Sequence, residues 1–145
     1  MEKSDSLGTL KCRVGIKTIM EQALAMQITG AVLVLVAVMK NRDPSGFNKQ
    51  IFGDAEGVGG GPAASMRMLI GGGFGGIGAI NLYCSFTVED PAATEAILVG
   101  TAIGLALVFA TILGAKIRGF LDHIPAPPMV IFPGLILLCI YSALG

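Results

Sequence analysis

At 145 residues, 53% hydrophobic and 14% charged, with a mean hydropathy of +0.75, the chain falls short of the roughly one-quarter charged content of a soluble domain. This excludes an ordinary water-soluble globule and indicates a membrane protein of one domain. Ten acids balance ten bases, so the net charge of zero leaves no electrostatic footprint for nucleic acid.

Four apolar runs are predicted to be spanning helices, at about 21–39, 66–86, 93–115 and 129–144. Each approaches the ~20 residues needed for ~30 Å of hydrocarbon. The expected fold is therefore all-α, an integral membrane four-helix up-down bundle over 21–145, preceded by a polar basic tail over 1–20. That tail carries Lys3, Lys11, Arg13 and Lys17 against Glu2 and Asp5, and basic residues before a span mark the cytoplasmic side. From residue 15 onward it can continue the first span as a helix. The first run reads as a retained span, not a signal peptide, because Lys40-Asn41-Arg42 follows it where small cleavage-site residues would stand. Glu21 opens it as a helix N-terminal acid. Gln27, deeper, is expected to face a neighbouring helix.

Residues 40–65 form the longest connection. Asp43-Pro44-Ser45-Gly46 predicts a turn, with proline setting φ and glycine permitting a left-handed residue. Phe47, Ile51 and Phe52 are spaced to lie together at the interface. A connection of this length is more than a tether and is expected to cap the bundle.

The second span holds six glycines in the eight positions 71–78. Gly71/Gly75 and Gly72/Gly76 are overlapping small-xxx-small pairs on adjacent faces, where absent side chains admit another backbone. Gly71, Gly73 and Gly76 also match the dinucleotide fingerprint G-x-G-x-x-G. That fingerprint requires a preceding strand and a following amphipathic helix, neither of which is present, so close helix packing is the reading. In the short connection over 87–92, Asp90 and Glu95 complement the helix macrodipole, and Thr94 is the expected N-cap of the third span. That span repeats small residues every four positions, at Ala96, Gly100 and Gly104 and at Ala106, Ala110 and Gly114. Two small stripes suit contacts on two faces, as at the interior of a bundle. Thr101 and Thr111 can bond back to their own helix.

Lys116 and Arg118 end the third span, with Gly119 as its C-cap and Pro125, Pro127 and Pro128 stiffening the approach to the fourth. His123 beside Asp122 reads as a surface pair, since a metal would need further ligands. No metal and no catalytic residue is predicted. With four spans, both chain ends and the 87–92 connection share one side of the membrane, and the 40–65 and 116–128 connections share the other. Arg67, Lys116, Arg118, Asp122 and His123 then gather on the second side. Arg67 is expected to snorkel to phosphates or pair with Asp122 or Asp43. Its functional reading is that Arg67, Lys116 and Arg118 frame a pocket for a small anionic or polar headgroup. Basic residues number four on the first side and six on the second, a balance that favours a cytoplasmic N-terminus only when Arg67, Lys116 and Arg118 are set aside as site residues. Cys84 and Cys139 fall at similar depth, so pairing is geometrically open. A reducing cytoplasm would keep them as thiols.

Arg67 with Gly71-Gly72, then Arg118 and Asp122-His123-Ile124-Pro125, resemble the DoxX-like group of small four-helix membrane proteins. The likeness is to the bacterial branch described only as a domain of unknown function, and it covers roughly residues 22–144. His123 stands where that pattern has glycine, and the fourth span lacks an acid. The resemblance implies a four-helix up-down bundle in a bacterial inner membrane with a cytoplasmic N-terminus. Relatives in the wider group have unrelated roles, so no activity transfers. Membrane glutathione transferases require an arginine with Asn and Glu partners in one helix. The second span has Arg67 and Asn81 but no acid, and does not fit.

The leading expectation is a non-catalytic accessory or assembly subunit, or a homo-oligomer, joined to other membrane subunits by glycine-rich helix faces and surrounded by membrane lipids. The alternative is a redox or lipid-associated enzyme subunit binding a quinone-like or anionic lipid molecule near Arg67 and Arg118. A transporter is disfavoured because Gln27 and Asn81 are the only strongly polar side chains at mid-membrane depth.

Overall fold

The computed structural model describes residues 3–53, 57–121, 124 and 126–144, with side chains described from Glu21 onward. All elements among them are helices: α1 (Lys3–Arg42), α2 (Pro44–Phe52), α3 (Gly61–Thr87), α4 (Pro91–Ile117) and α5 (Ala126–Leu144). Four stretches are long and apolar enough to cross a bilayer, Glu21–Arg42, Gly61–Thr87, Pro91–Ile117 and Ala126–Leu144. This points to an integral membrane protein. Large apolar side chains cover the outward faces, including Leu35, Leu69, Ile80, Leu107 and Leu137. Helices hydrophobic all round suit a lipid solvent.

The spans run longer than the apolar runs alone indicate, because their ends are set by caps and not by hydropathy. The tail forms one continuous helix with the first span, from Lys3 to Arg42. α4 begins at Pro91, with Asp90 as N-cap accepting from the Ala92 amide at 3.3 Å. Thr94, the expected cap, instead lies inside the first turn and donates its hydroxyl to the Asp90 carbonyl at 2.9 Å. An aspartate directly before Pro at the first helical position is the stronger start signal. At the other end Gly119 (φ 75°) follows Arg118, with Phe120 N–H bonded to the Ala115 carbonyl and Gly119 N–H to that of Lys116. This is a Schellman ending. α5 starts at Ala126, so Pro127 and Pro128 sit within its first turn, where proline's missing N–H leaves no bond unmade.

The 40–65 connection is also more ordered than a turn. Asp43 caps a nine-residue helix, α2, its carboxylate accepting from the Gly46 amide at 2.9 Å. Gly53 (φ 69°) ends it, and the Ser45 hydroxyl reaches the Gly59 carbonyl at 3.2 Å, tying α2 to the following turn.

α1 is the helix the others share. It packs most extensively on α3, then on α5 and α4, while α4 packs chiefly on α5. Two apolar clusters divide its length. One joins Ala25 and Met26 to Leu98, Ala102, Cys139 and Ala143. The other joins Leu33 and Ala37 to Phe74, Leu105, Phe132 and Leu135. Burial without a hydrophobic drive requires tight contact, and the α1–α3 seam provides it. A methyl group placed on Gly30 would stand 2.7 Å from the Gly78 carbonyl oxygen, and one on Gly78 would stand 2.8 Å from that of Gly30. Each backbone therefore approaches the other's Cα, the geometry of reciprocal Cα–H···O contacts. Farther along, Gly75 faces Ala37 and Gly71 faces Asn41. Positions 71, 75 and 78 rise along α3 as 41, 37 and 30 descend along α1, so these two helices run antiparallel.

The remaining glycines behave differently. Beyond their own helix backbone, Gly72, Gly76, Gly100, Gly104 and Gly114 have none of the described residues within 4 Å of a Cβ position. The buried side of α4 is instead Thr94, Leu98, Thr101, Ala102 and Leu105. The expectation that its small stripes suit the interior of this chain's own bundle is thus corrected: a different face of α4 is buried, and Ala96, Gly100, Ala106 and Ala110 of the stripes are exposed.

Candidate functional site

The polar groups inside the spans fall into two sets. The first is structural. Asn81 is buried where α3 meets α4, donating Nδ2 to the Ile77 carbonyl (3.0 Å) and to the Thr101 hydroxyl (3.1 Å), and Thr101 lies 3.4 Å from Asn81 Oδ1. Thr101 therefore serves a neighbouring helix, while Thr111 bonds back to Leu107 at 2.8 Å. Thr29 and Cys139 are fully buried and share a contact of 3.5 Å between hydroxyl and thiol. Cys84 packs against the same cluster, and both cysteines are free thiols. Gln22, not Gln27, is the buried amide of α1, and its Oε1 has no hydrogen-bond partner among the described residues.

The second set lies at the opposite end, where α2 packs against α3 and α1. Arg67, in the second turn of α3, donates Nε to Asn48 Oδ1 at 2.8 Å, and its guanidinium lies 5.6 Å from the centre of the Phe47 ring. Asn48 is buried, so this bond fixes α2 to α3. Arg67 thus pairs with a neutral amide and an aromatic face, not with Asp43, whose carboxylate is engaged in capping α2. Lys40, in the last turn of α1, holds Nζ 4.4 Å over the Phe74 ring. Both contacts are of the cation–π kind.

Lys40 and Arg67 open into one cavity of about 510 Å³ between α1, α2, α3, α4 and α5, walled by Ile70, Gly73, Val108 and Ile112 on the α3–α4 side. A second cavity of about 380 Å³ adjoins it toward Val36, Met39 and Ile131. The two share Lys40, Phe47, Ile51, Phe74, Pro128 and Phe132. The Phe74 and Phe132 rings, with centroids 5.7 Å apart, line both cavities. No described acid lines either cavity. Both volumes fall in the ~300–1,000 Å³ range of small-molecule sites.

Of the residues singled out from sequence, Arg67 lines this site, and Phe47, Ile51 and Phe52 gather on it as their spacing indicated. Lys116 and Arg118 are exposed and line neither cavity. Asp122 and His123 lie outside the described residues. Lys40 falls on this side of the membrane by the sequence reading, together with Arg42, but was not assigned to the site. Asn48 was missed because nothing in the sequence marks α2 as a helix that turns one polar face inward.

Comparison with known proteins gives no match: no family model fits the chain, and no characterised protein or solved structure is similar to it.

Proposed function

We propose that the chain is a small non-catalytic membrane protein, an up-down bundle of four spans, that works as an accessory or assembly subunit or as a homo-oligomer. The observation that carries this reading is that Gly72, Gly76, Gly100, Gly104 and Gly114 of α3 and α4 meet nothing among the described residues. Glycine weakens a helix interior by about 0.5–1 kcal/mol relative to alanine. In lipid such residues favour close approach of another helix, with van der Waals contact as the drive. The resemblance of Arg67 with Gly71-Gly72 and of Arg118 supports kinship with the DoxX-like group, and through it a bacterial inner membrane and a cytoplasmic N-terminus.

Purification in mild detergent tests this. A stoichiometric partner protein or a defined oligomer is expected, lost on Gly72→Ile/Gly76→Ile while the monomer stays folded. A wild-type protein that is monomeric and partner-free would sink the proposal.

The cavity at Lys40 and Arg67 favours a second reading, a redox or lipid-associated subunit that holds a quinone-like or anionic lipid molecule at Arg67. Two cations facing apolar walls without a described acid support it.

A further inference from the structure

We infer that the paired cavities beneath α2 form a site for one acidic, two-chain phospholipid, its phosphate held by Lys40 and Arg67 and one acyl chain in each lobe. This rests on the reading that Arg67 marks a ligand site, and it names the ligand class and a second binding residue, Lys40.

Charge is the first argument. Two cations line one cavity with no described acid in its wall, and the Arg67 partner, Asn48, is neutral. Engaging Nε with Asn48 orients the guanidinium and leaves its terminal amino groups for a ligand. Lys40 rests on the face of Phe74, and its ammonium offers three donors. A phosphate accepts from both, in the fork geometry that suits arginine and the point-charge geometry that suits lysine. A zwitterionic headgroup would bring its own ammonium toward the same two cations.

Shape is the second argument. The lobes of about 510 and 380 Å³ adjoin, with Lys40 and the Phe74–Phe132 pair lining both. A quinone or a fatty acid has one apolar arm and would leave a lobe empty. A diacyl lipid has two arms joined next to the phosphate, which is the arrangement the cavity repeats. Gly73 forms part of the larger lobe's wall, and no described residue beyond its own helix backbone lies within 4 Å of its Cβ position. Bare backbone there widens the path for a chain.

The test uses the full-length protein in nanodiscs of equal phosphatidylglycerol and phosphatidylcholine with identical acyl chains, released for native mass spectrometry. One retained phosphatidylglycerol per chain is expected. Removing charge by Lys40→Gln or Arg67→Gln should lower its occupancy on the order of fivefold each, following ~1 kcal/mol per basic residue at a lipid headgroup. Gly73→Ile, which keeps both charges and fills one lobe, should also lower it. Lys116→Gln/Arg118→Gln, both exposed, should leave it unchanged, and circular dichroism and gel filtration check that each variant folds. Equal retention of the two lipids, or equal losses in the Lys116/Arg118 variant, would overturn the site. A bound quinone or single-chain acid that depends on Arg67 would overturn the two-chain assignment while leaving the ligand reading of Arg67 standing. Retention unaffected by Arg67→Gln would remove both.

Discussion

The two sides of α3 carry the same residue type and have opposite fates. On one side Gly71, Gly75 and Gly78 face α1, and at Gly78 the backbones approach so closely that a methyl group meets carbonyl oxygen and side chain together. On the other, Gly72 and Gly76 open onto nothing. The difference teaches what a glycine run in a membrane helix specifies. The eight positions of the run span just over two helical turns, so glycines this dense place bare backbone on more than one face of the helix. The fold uses one side, and the other is left for something outside the chain.

The sharpest way to break the comparison is at the closed side. Gly78→Ala places its new carbon 2.8 Å from the Gly30 oxygen and 3.0 Å from Leu33 Cβ and Val34 Cγ2. None of these is the free end of a flexible side chain. Overpacking costs about 1–3 kcal/mol, which outweighs the ~0.5–1 kcal/mol gained in helix propensity. Net destabilisation is expected for Gly78→Ala and for Gly30→Ala, read as a lower unfolding midpoint in detergent. Gly71→Ala meets only the side chain of exposed Asn41 and should cost less than either. If all three variants behave alike, the seam is not the close contact described.

The next effect sits at the border between the sides, where α3 meets α4 through Asn81 and Thr101. A double-mutant cycle with Asn81→Leu and Thr101→Val is expected to give a coupling of about 0.6 kcal/mol, with ~1.7 as the upper end for such pairs in a membrane. Zero coupling would mean that the pair is incidental, and that α3 and α4 are held apart from one another by α1 and α5 alone.

These particulars show what could be read from the sequence. The four spans were legible because hydropathy over ~20 residues is a one-dimensional property. Arg67 was legible because a charge inside an apolar run stands out, and Gly119 because a left-handed helix ending favours glycine. Gly30 was not, since its importance lies wholly in the opposing Gly78, and pairing across two helices is absent from a local pattern. Lys40 was obscured for a similar reason. At the end of a span it reads as a topological charge, and only the α2 helix laid across it, together with Phe74 beneath, turns it into part of a cavity. α2 itself was hidden in a turn signal, because Asp-Pro-Ser-Gly both makes a turn and caps a helix.

The smallest effect on the fold is expected at the open side, and it is the most informative. Gly72→Ala and Gly76→Ala add carbons with no neighbour within 4 Å, so the steric penalty that governs Gly78 is missing. What remains is helix propensity, a stabilisation of up to about 0.5–1 kcal/mol. Unfolding of the isolated chain should therefore shift slightly upward, in the direction opposite to Gly78→Ala. Association should respond the other way, since even a methyl group separates two backbones that pack on bare glycine. Measured on the same samples, an unfolding midpoint that holds or rises while the oligomer or partner complex weakens assigns these glycines to an external helix. A fall in the midpoint would show instead that they are buried within the chain's own fold in the membrane, and the contrast between the two sides of α3 would collapse.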